Sequence, residues 1–322
     1  MKILYKPHQY SQQRQQEKKR WIWPVHMAME ATYYMNEGHI VAWDEIGDEH
    51  LYDRVISDPK GLPFLKLPSP NRNLTKAFDL KYQSNGNFKH RPGTYIQSAA
   101  GCWWGKCTFC SECNKKYELR SVGRVIKEIK ECKQHGFREI FDDAASFATG
   151  SWRDRFIEQL KPIGIKFSCN MRFGTRPDFR KMKDAGFRML LYGVESSSRK
   201  TLNRINKGID RSKIVSELKE ASKAGLEPHV AVMFGFPWET DKDARETLEL
   251  VHFLLRKGYA KTAQASLFNI PEMPPEMDHA KYIDKIYNAG YSPSLWMNKL
   301  KEVKNMDDLR YIWRGVKAWI GK

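Results

Sequence analysis

The sequence predicts an α/β chain: a partial parallel (β/α)6 TIM-like barrel with a small N-terminal βαβ remnant and a helical C-terminal tail. Three observations predict it. Strand-like and helix-like segments alternate about six times from Thr94 to Phe268. Residues 1–50 carry a single strand–helix–strand pattern, and residues 276–322 show helical periodicity alone. Parallel strands need long, right-handed crossovers, which helices supply, so the alternation implies a parallel sheet clothed in helices. In such a barrel the chemistry gathers at the C-terminal ends of the strands.

The elements follow in order. Lys2–Tyr5 is a short apolar strand, and residues 11–20 hold no apolar side chain and read as a solvated loop. Val25–Asn36 carries an apolar helical face through Ala28, Ala31, Tyr34 and Met35, with Gly38 where a C-cap belongs. His39–Trp43 is the second strand. Residues 58–93 are rich in Pro and Asn with little periodicity, so they read as a linker. The barrel series opens with strand Tyr95–Ala99 and a helix capped by Ser121, with Val122, Val125, Ile126 and Ile129 on one face. It continues with strands Glu139–Phe141, Ile165–Cys169, Met189–Val194, Val230–Phe234 and Ala263–Phe268. The helices between them are Trp152–Leu160, Asp178–Ala185, Lys200–Ile205, Lys213–Ala224 and Asp241–Lys257. Tail helices are expected at Tyr282–Tyr287 and Met306–Ile320. The expected boundaries are 1–57 for the βαβ segment, 58–93 for the linker, 94–275 for the barrel and 276–322 for the helical extension.

With 322 residues, 41% hydrophobic and 29% charged, the chain has material for a real core, which argues against disorder. No run of eighteen apolar residues spans a membrane, and residues 1–20 lack a signal peptide's long apolar region. A cytoplasmic location is expected. The net charge is 55 − 38 = +17, a field that attracts anions, nucleic acids and acidic proteins.

The cysteines carry the sharpest signal. Four of the six fall in Gly101-Cys102-Trp103-Trp104-Gly105-Lys106-Cys107-Thr108-Phe109-Cys110-Ser111-Glu112-Cys113, directly after the first barrel strand. Thiolates hold soft metals and iron–sulfur clusters. A zinc site usually needs two separated ligand pairs, and no second Cys or His pair stands at that distance. A two-cluster ferredoxin run would place its next cysteine at Tyr117. Three thiolates on one loop suit a cubane cluster with one open iron.

Here the chain resembles the radical S-adenosylmethionine (SAM) enzymes, whose signature is three closely spaced cysteines with an aromatic residue before the third. Thr108-Phe109-Cys110 matches that ending, and the first gap is one residue longer than usual. The resemblance covers residues 94–270. It assigns Cys102, Cys107 and Cys110 to a 4Fe-4S cluster, with Cys113 as the alternate ligand. It assigns S-adenosyl-L-methionine to residues at successive strand ends. These are Phe109 beside the adenine, Asp142 and Asp143 after the second strand, and Asn170 and Arg172 after the third. Glu195 and Ser196 follow the fourth strand in Gly193-Val194-Glu195-Ser196. Gly235 follows the fifth in Gly235-Phe236-Pro237-Trp238-Glu239-Thr240, close to a Gly-x-Pro-Glu-Thr pattern of the cobalamin-associated branch. Ile205-Asn206-Lys207-Gly208 also fits that branch. Asp143, Arg172 and Glu195 suit the amine, carboxylate and ribose of SAM, through charge-assisted hydrogen bonds.

The resemblance implies reductive cleavage of SAM to a 5′-deoxyadenosyl radical, which takes a hydrogen atom from the substrate. The electron donor would be a flavodoxin or ferredoxin. The substrate is open between a small molecule, a peptide and RNA, and the charge favours an anionic one. The opening βαβ resembles a truncated cobalamin-binding Rossmann-like domain. Asp48-Glu49-His50 departs from its cobalt-ligating histidine motif, since Asp53 stands where glycine is expected. The competing reading is a basic nucleic-acid-binding protein stapled by zinc or a cluster on one four-thiolate site of Cys102, Cys107, Cys110 and Cys113, with Trp103 and Trp104 stacking on bases. The stretch Asn269-Ile270-Pro271-Glu272-Met273-Pro274-Pro275 reads as a turn leaving the barrel.

Overall fold

The computed structural model describes residues 1–7, 22–43, 49–57, 61–83, 86–268, 280–290, 300–301 and 303–320. The loop expected at 11–20, Asp48 and the turn at 269–275 lie outside the described residues. The class is the partial parallel (β/α)6 barrel that the alternation predicts. The chain divides into two compact units. The first holds Met1–Ala100 and Lys116–Ala144; the second holds Gly101–Lys115 and Ala145–Lys322.

The first unit opens with β1 (Lys2–Tyr5), α1 (Val25–Asn36) and β2 (Ile40–Trp43). β1 and β2 run parallel, and Tyr5 stacks on Trp43 at 5.9 Å. The sequence missed a third strand, β3 (Arg54–Ile56), which pairs parallel to the other side of β1. Only Ile56 of its three residues is buried, so it shows no alternation to read. Residues 61–83, which end in the short helix α2 (Leu80–Gln83), and 86–92 bury Phe64, Leu67, Tyr82 and Phe88.

Two barrel strands belong to this unit: β4 (Gly93–Ile96) and β7 (Glu139–Asp142), paired in parallel from Gly93↔Glu139 to Ile96↔Asp142. The expected strand Tyr95–Ala99 is thus shifted. It starts at Gly93, where any Cβ would collide with the Phe88 ring. It stops at Ile96 because Ser98 turns to bond Asp142, and β5 (Ala99–Ala100) then pairs antiparallel with β6 (Glu118–Leu119). Helix α3 (Val122–Gln134) starts where Ser121 accepts from the Arg124 backbone N–H, and it buries Val122, Val125, Ile126 and Ile129 as expected. The same face buries Glu128. Its two oxygens accept from Arg72 at 2.7 Å and Arg120 at 2.6 Å.

The second unit carries the cysteine loop and then α4 (Gly150–Leu160), β8 (Lys166–Met171), α5 (Phe179–Asp184) and β9 (Phe187–Glu195). After them come α6 (Arg199–Arg204), α7 (Arg211–Lys223), β10 (Glu227–Phe234), α8 (Asp241–Arg256) and β11 (Thr262–Leu267). Strands β8 to β11 pair in parallel in sequence order. Helix starts are chemically marked: Asp178 caps α5, Asp210 caps α7, and Thr240 with Asp243 forms a capping box on α8. Phe147, Phe156, Phe167 and Phe187 pack with centroids 5.0–6.2 Å apart, which fixes the β8–β9 region as a rigid base. The tail is helical as expected, in α9 (Ala280–Gly290) and α10 (Met306–Ile320).

Candidate functional site

The cysteine loop is coiled on itself and then stitched to a distant turn. The Cys110 N–H donates to the Cys107 carbonyl at 3.1 Å and the Cys113 N–H to the Cys110 carbonyl at 2.9 Å. The Asn114 N–H closes the loop onto the Gly105 carbonyl at 2.9 Å. Gly105 takes φ +56°, where a Cβ would meet the Cys102 carbonyl. The receiving turn follows α6. The Thr108 N–H donates to the Ile205 carbonyl at 3.1 Å, and Trp104 Nε1 to the Asn206 carbonyl at 3.0 Å. Gly208 sits under the Trp104 ring at φ +66°; a Cβ there would come within 2.8 Å of that ring and 3.2 Å of Arg172 Nη2.

Two cations meet this assembly. Arg172, one residue past β8, lays its guanidinium over Trp104 at 3.7 Å and lies 5.9 Å from the Trp103 centroid. It also donates to the Lys207 carbonyl. Lys207 Nζ is 2.7 Å from Glu195 Oε1, both side chains about nine-tenths buried. Glu195 ends β9 with φ +61°, a left-handed conformation that costs a non-glycine residue energy. That twist coincides with a register shift opposite β10, between Ala231 and Val232. Gly193 makes the pair sterically feasible, since a Cβ on it would run into Glu195 Oε1 and lie 2.8 Å from Lys207 Nζ.

Burial pushes the Cys107 thiol up, while Lys207 and then Arg172 pull it back toward the thiolate. Burial likewise lowers Arg172 from its ordinary value, against the pull of Cys107 and Cys102. All four loop cysteines are half-buried and free of disulfides. Among the described residues, no three Cys, His, Asp or Glu side chains are already gathered as a cage for a metal ion. The donor set still fits a soft, thiolate-held cluster. It offers four unbridged thiols on one loop, with two cations at hand to balance their charge.

The structure brings Cys102, Cys107, Arg172 and Glu195 into one neighbourhood, and Cys110 joins through its charge coupling to Cys107. Phe109 is half-buried on the same loop. Asn170 lies on β8, two residues before Arg172, and its carbonyl accepts from the Phe147 N–H at 2.8 Å. Ser196 and Gly235 are engaged elsewhere. Ser196 is fully buried, with its hydroxyl 3.3 Å from Thr247 Oγ1 and accepting from the Ser198 N–H. The Gly235 N–H donates to Glu239 at 2.6 Å. Asp142, in the first unit, is fully buried and accepts from the N–H and hydroxyl of Ser98. Burial pushes its carboxyl up to about 6 against those bonds. Asp143 beside it is exposed, and its N–H donates to the Ile96 carbonyl. His50 is exposed, and Asp53 accepts from the Lys2 N–H at 2.7 Å. From the sequence, Lys207 appears only within Ile205-Asn206-Lys207-Gly208 and not among the expected site residues. The Gly208 beside it was the available signal.

Residues 96–251 match the model of the radical SAM superfamily. They form a radical SAM domain. Such a domain implies a 4Fe-4S cluster and SAM, and the match favours an enzyme over a zinc-stapled nucleic-acid-binding module. A Methanocaldococcus jannaschii protein with a provisional methylthiotransferase name is 29% identical over 218 residues, 61% of this chain and 45% of that protein. An uncharacterized methyltransferase of Pyrococcus horikoshii is 28% identical over 193 residues, 57% of this chain and 40% of that one. The chain thus spans less than half the length of these two relatives. Among solved structures, the radical SAM methyltransferase TsrM from Kitasatospora setae, with cobalamin and a [4Fe-4S] cluster bound, aligns at TM-score 0.49. That alignment has 15% identity and covers 63% of this chain and 37% of that one. The radical SAM domain contains the loop from Cys102, the turn through Gly208 and the strand ends at Arg172 and Glu195. Among the described residues no helix is long and apolar enough to cross a membrane.

Proposed function

We propose that Cys102, Cys107 and Cys110 hold the 4Fe-4S cluster of this radical SAM domain, and that the enzyme transfers a methyl or methylthio group to its substrate. The observation that carries the site is the docked loop. Its three thiols lie on a segment tied by Thr108 and Trp104 to the turn after α6, with Arg172 and Lys207 alongside. When bound, the cluster and SAM supply one-electron cleavage of a sulfonium carbon–sulfur bond. The chain's part is to hold, orient and screen. Arg172 offers a cation for the SAM carboxylate and Glu195 an anion for its amine, both on rigid strand ends. The group transferred is read from the names of the relatives.

A net charge of +17 supports an acidic ferredoxin or flavodoxin as electron donor and an anionic substrate. Six cysteines without a disulfide support work in the reducing cytoplasm. Anaerobic reconstitution tests the site. The unaltered chain is expected to bind about four irons with sulfide and to release 5′-deoxyadenosine from SAM with dithionite. Changing Cys102, Cys107 or Cys110 to Ala should each remove most of the iron, whereas Cys113→Ala should leave it. Full iron in all three variants would refute the ligand assignment.

A further inference from the structure

Lys207 combines features that an ordinary surface lysine lacks. Its side chain is 12% exposed and pinned by Glu195 at 2.7 Å. Its carbonyl accepts from Arg172, and its two chain neighbours are committed to the loop. Asn206 receives the Trp104 indole, and Gly208 lies beneath the same ring. Gly193, two residues before Glu195, has no Cβ to obstruct the pair. Three elements therefore converge to put one ammonium at a fixed place beside the cysteine loop.

We propose that Lys207 is a charge-setting residue, a positioning residue whose ammonium, fixed by Glu195, raises the reduction potential of the iron–sulfur group held by the loop. This rests on the cluster reading above and goes beyond it by assigning a role to a residue outside the ligand set. A reduced cluster carries one more negative charge than an oxidised one, so a nearby fixed cation stabilises the reduced state. Glu195 opposes that effect as well as anchoring it. Removing the lysine charge and removing the glutamate charge must therefore move the potential in opposite directions. A purely structural pair cannot do this, because losing either partner would loosen the same turn in the same way.

The test is a redox titration of anaerobically reconstituted full chain, followed by EPR without SAM, with iron and sulfide measured in parallel. Lys207→Gln should shift the one-electron reduction equilibrium about tenfold toward the oxidised form, ~59 mV downward. Glu195→Gln should shift it upward, and Lys207→Arg, which keeps the charge, should stay near the unaltered chain. Equal potentials in Lys207→Gln and the unaltered chain at equal iron content would overturn the proposal. So would shifts of the same sign in Lys207→Gln and Glu195→Gln. If Lys207→Gln loads too little iron to titrate, Glu195→Gln decides: an upward shift supports the assignment, and no shift or a downward one overturns it. An unaltered chain without an iron–sulfur signal overturns the cluster reading and this assignment together. A normal signal whose potential ignores Lys207 overturns the assignment alone.

Discussion

Two regions of this molecule set two cations against one carboxylate, and they use them differently. In the first unit, Glu128 lies between Arg72 and Arg120, with the three side chains 0–3% exposed. The surplus positive charge is absorbed locally. Arg72 donates to the Tyr95 carbonyl at 2.9 Å and lies over Trp23, and Arg120 donates to the Gln97 carbonyl. In the second unit, Glu195 holds Lys207, and Arg172 rests on Trp104 and the Lys207 carbonyl. There the surplus charge faces a loop of thiols. The stoichiometry is the same, so charge count does not distinguish a structural network from a chemical one. What distinguishes them is which thiols the leftover charge faces: Arg72 lies near the single, buried Cys132, whereas Lys207 and Arg172 face the half-buried cysteines of the loop.

The sharpest way to break this comparison is to empty the first network. Glu128→Gln leaves two buried guanidinium groups facing a neutral partner and should cost about 3–5 kcal/mol in urea unfolding. A cost under about 1 kcal/mol would mean that the triad is not structural. Burial pushes the Glu128 carboxyl up, but Arg72 and Arg120 outweigh it and hold it below the usual range. Its contribution is thus complete above the unfolded carboxylate value, about 4.3, and is lost as the pH falls through the lower folded value. Acid unfolding of the Gln variant should be correspondingly flatter.

A smaller effect is expected from crowding the second network. Gly208→Ala puts a Cβ into the Trp104 ring at a left-handed backbone, at about 1–2 kcal/mol. It should also change the near-ultraviolet circular dichroism as Trp104 shifts, and unchanged spectra would separate Gly208 from the docking of the loop. The smallest effect sharpens the contrast from outside both networks. Asp210→Ala removes the α7 cap, a loss of about 1 kcal/mol by thermal unfolding with no change in iron binding. Hydrogen bonds from Ser212 and Lys213 hold Asp210 down to about 2. Its support therefore persists above the ordinary carboxylate range and fades only as the pH falls through about 2.

The barrel was legible because each element advertises itself locally. Ser121, Asp178, Asp210 and Thr240 mark helix starts, and apolar runs such as Met189–Val194 mark strands. The cysteine loop was legible from spacing. β3 was not, because its exposed Arg54 and Val55 leave no periodic trace. The Glu195–Lys207 pair was also hidden. It depends on a strand bulge, a left-handed glutamate and an absent Cβ at Gly193, none of which has a residue pattern of its own. Arg72 and Glu128 lie 56 residues apart, too far for any local rule to join them.

The stitching of the loop has a consequence for how the protein is made. Trp104 and its acceptor on Asn206 are separated by 102 residues. At ribosomal speeds the docking turn emerges roughly 5–20 s after the thiols it will shelter. For that interval the cysteines are nascent-chain groups with nothing to lean on, open to oxidants and to stray metals alike. On the ligand assignment proposed above, stable loading of the cluster waits for the arrival of that short turn.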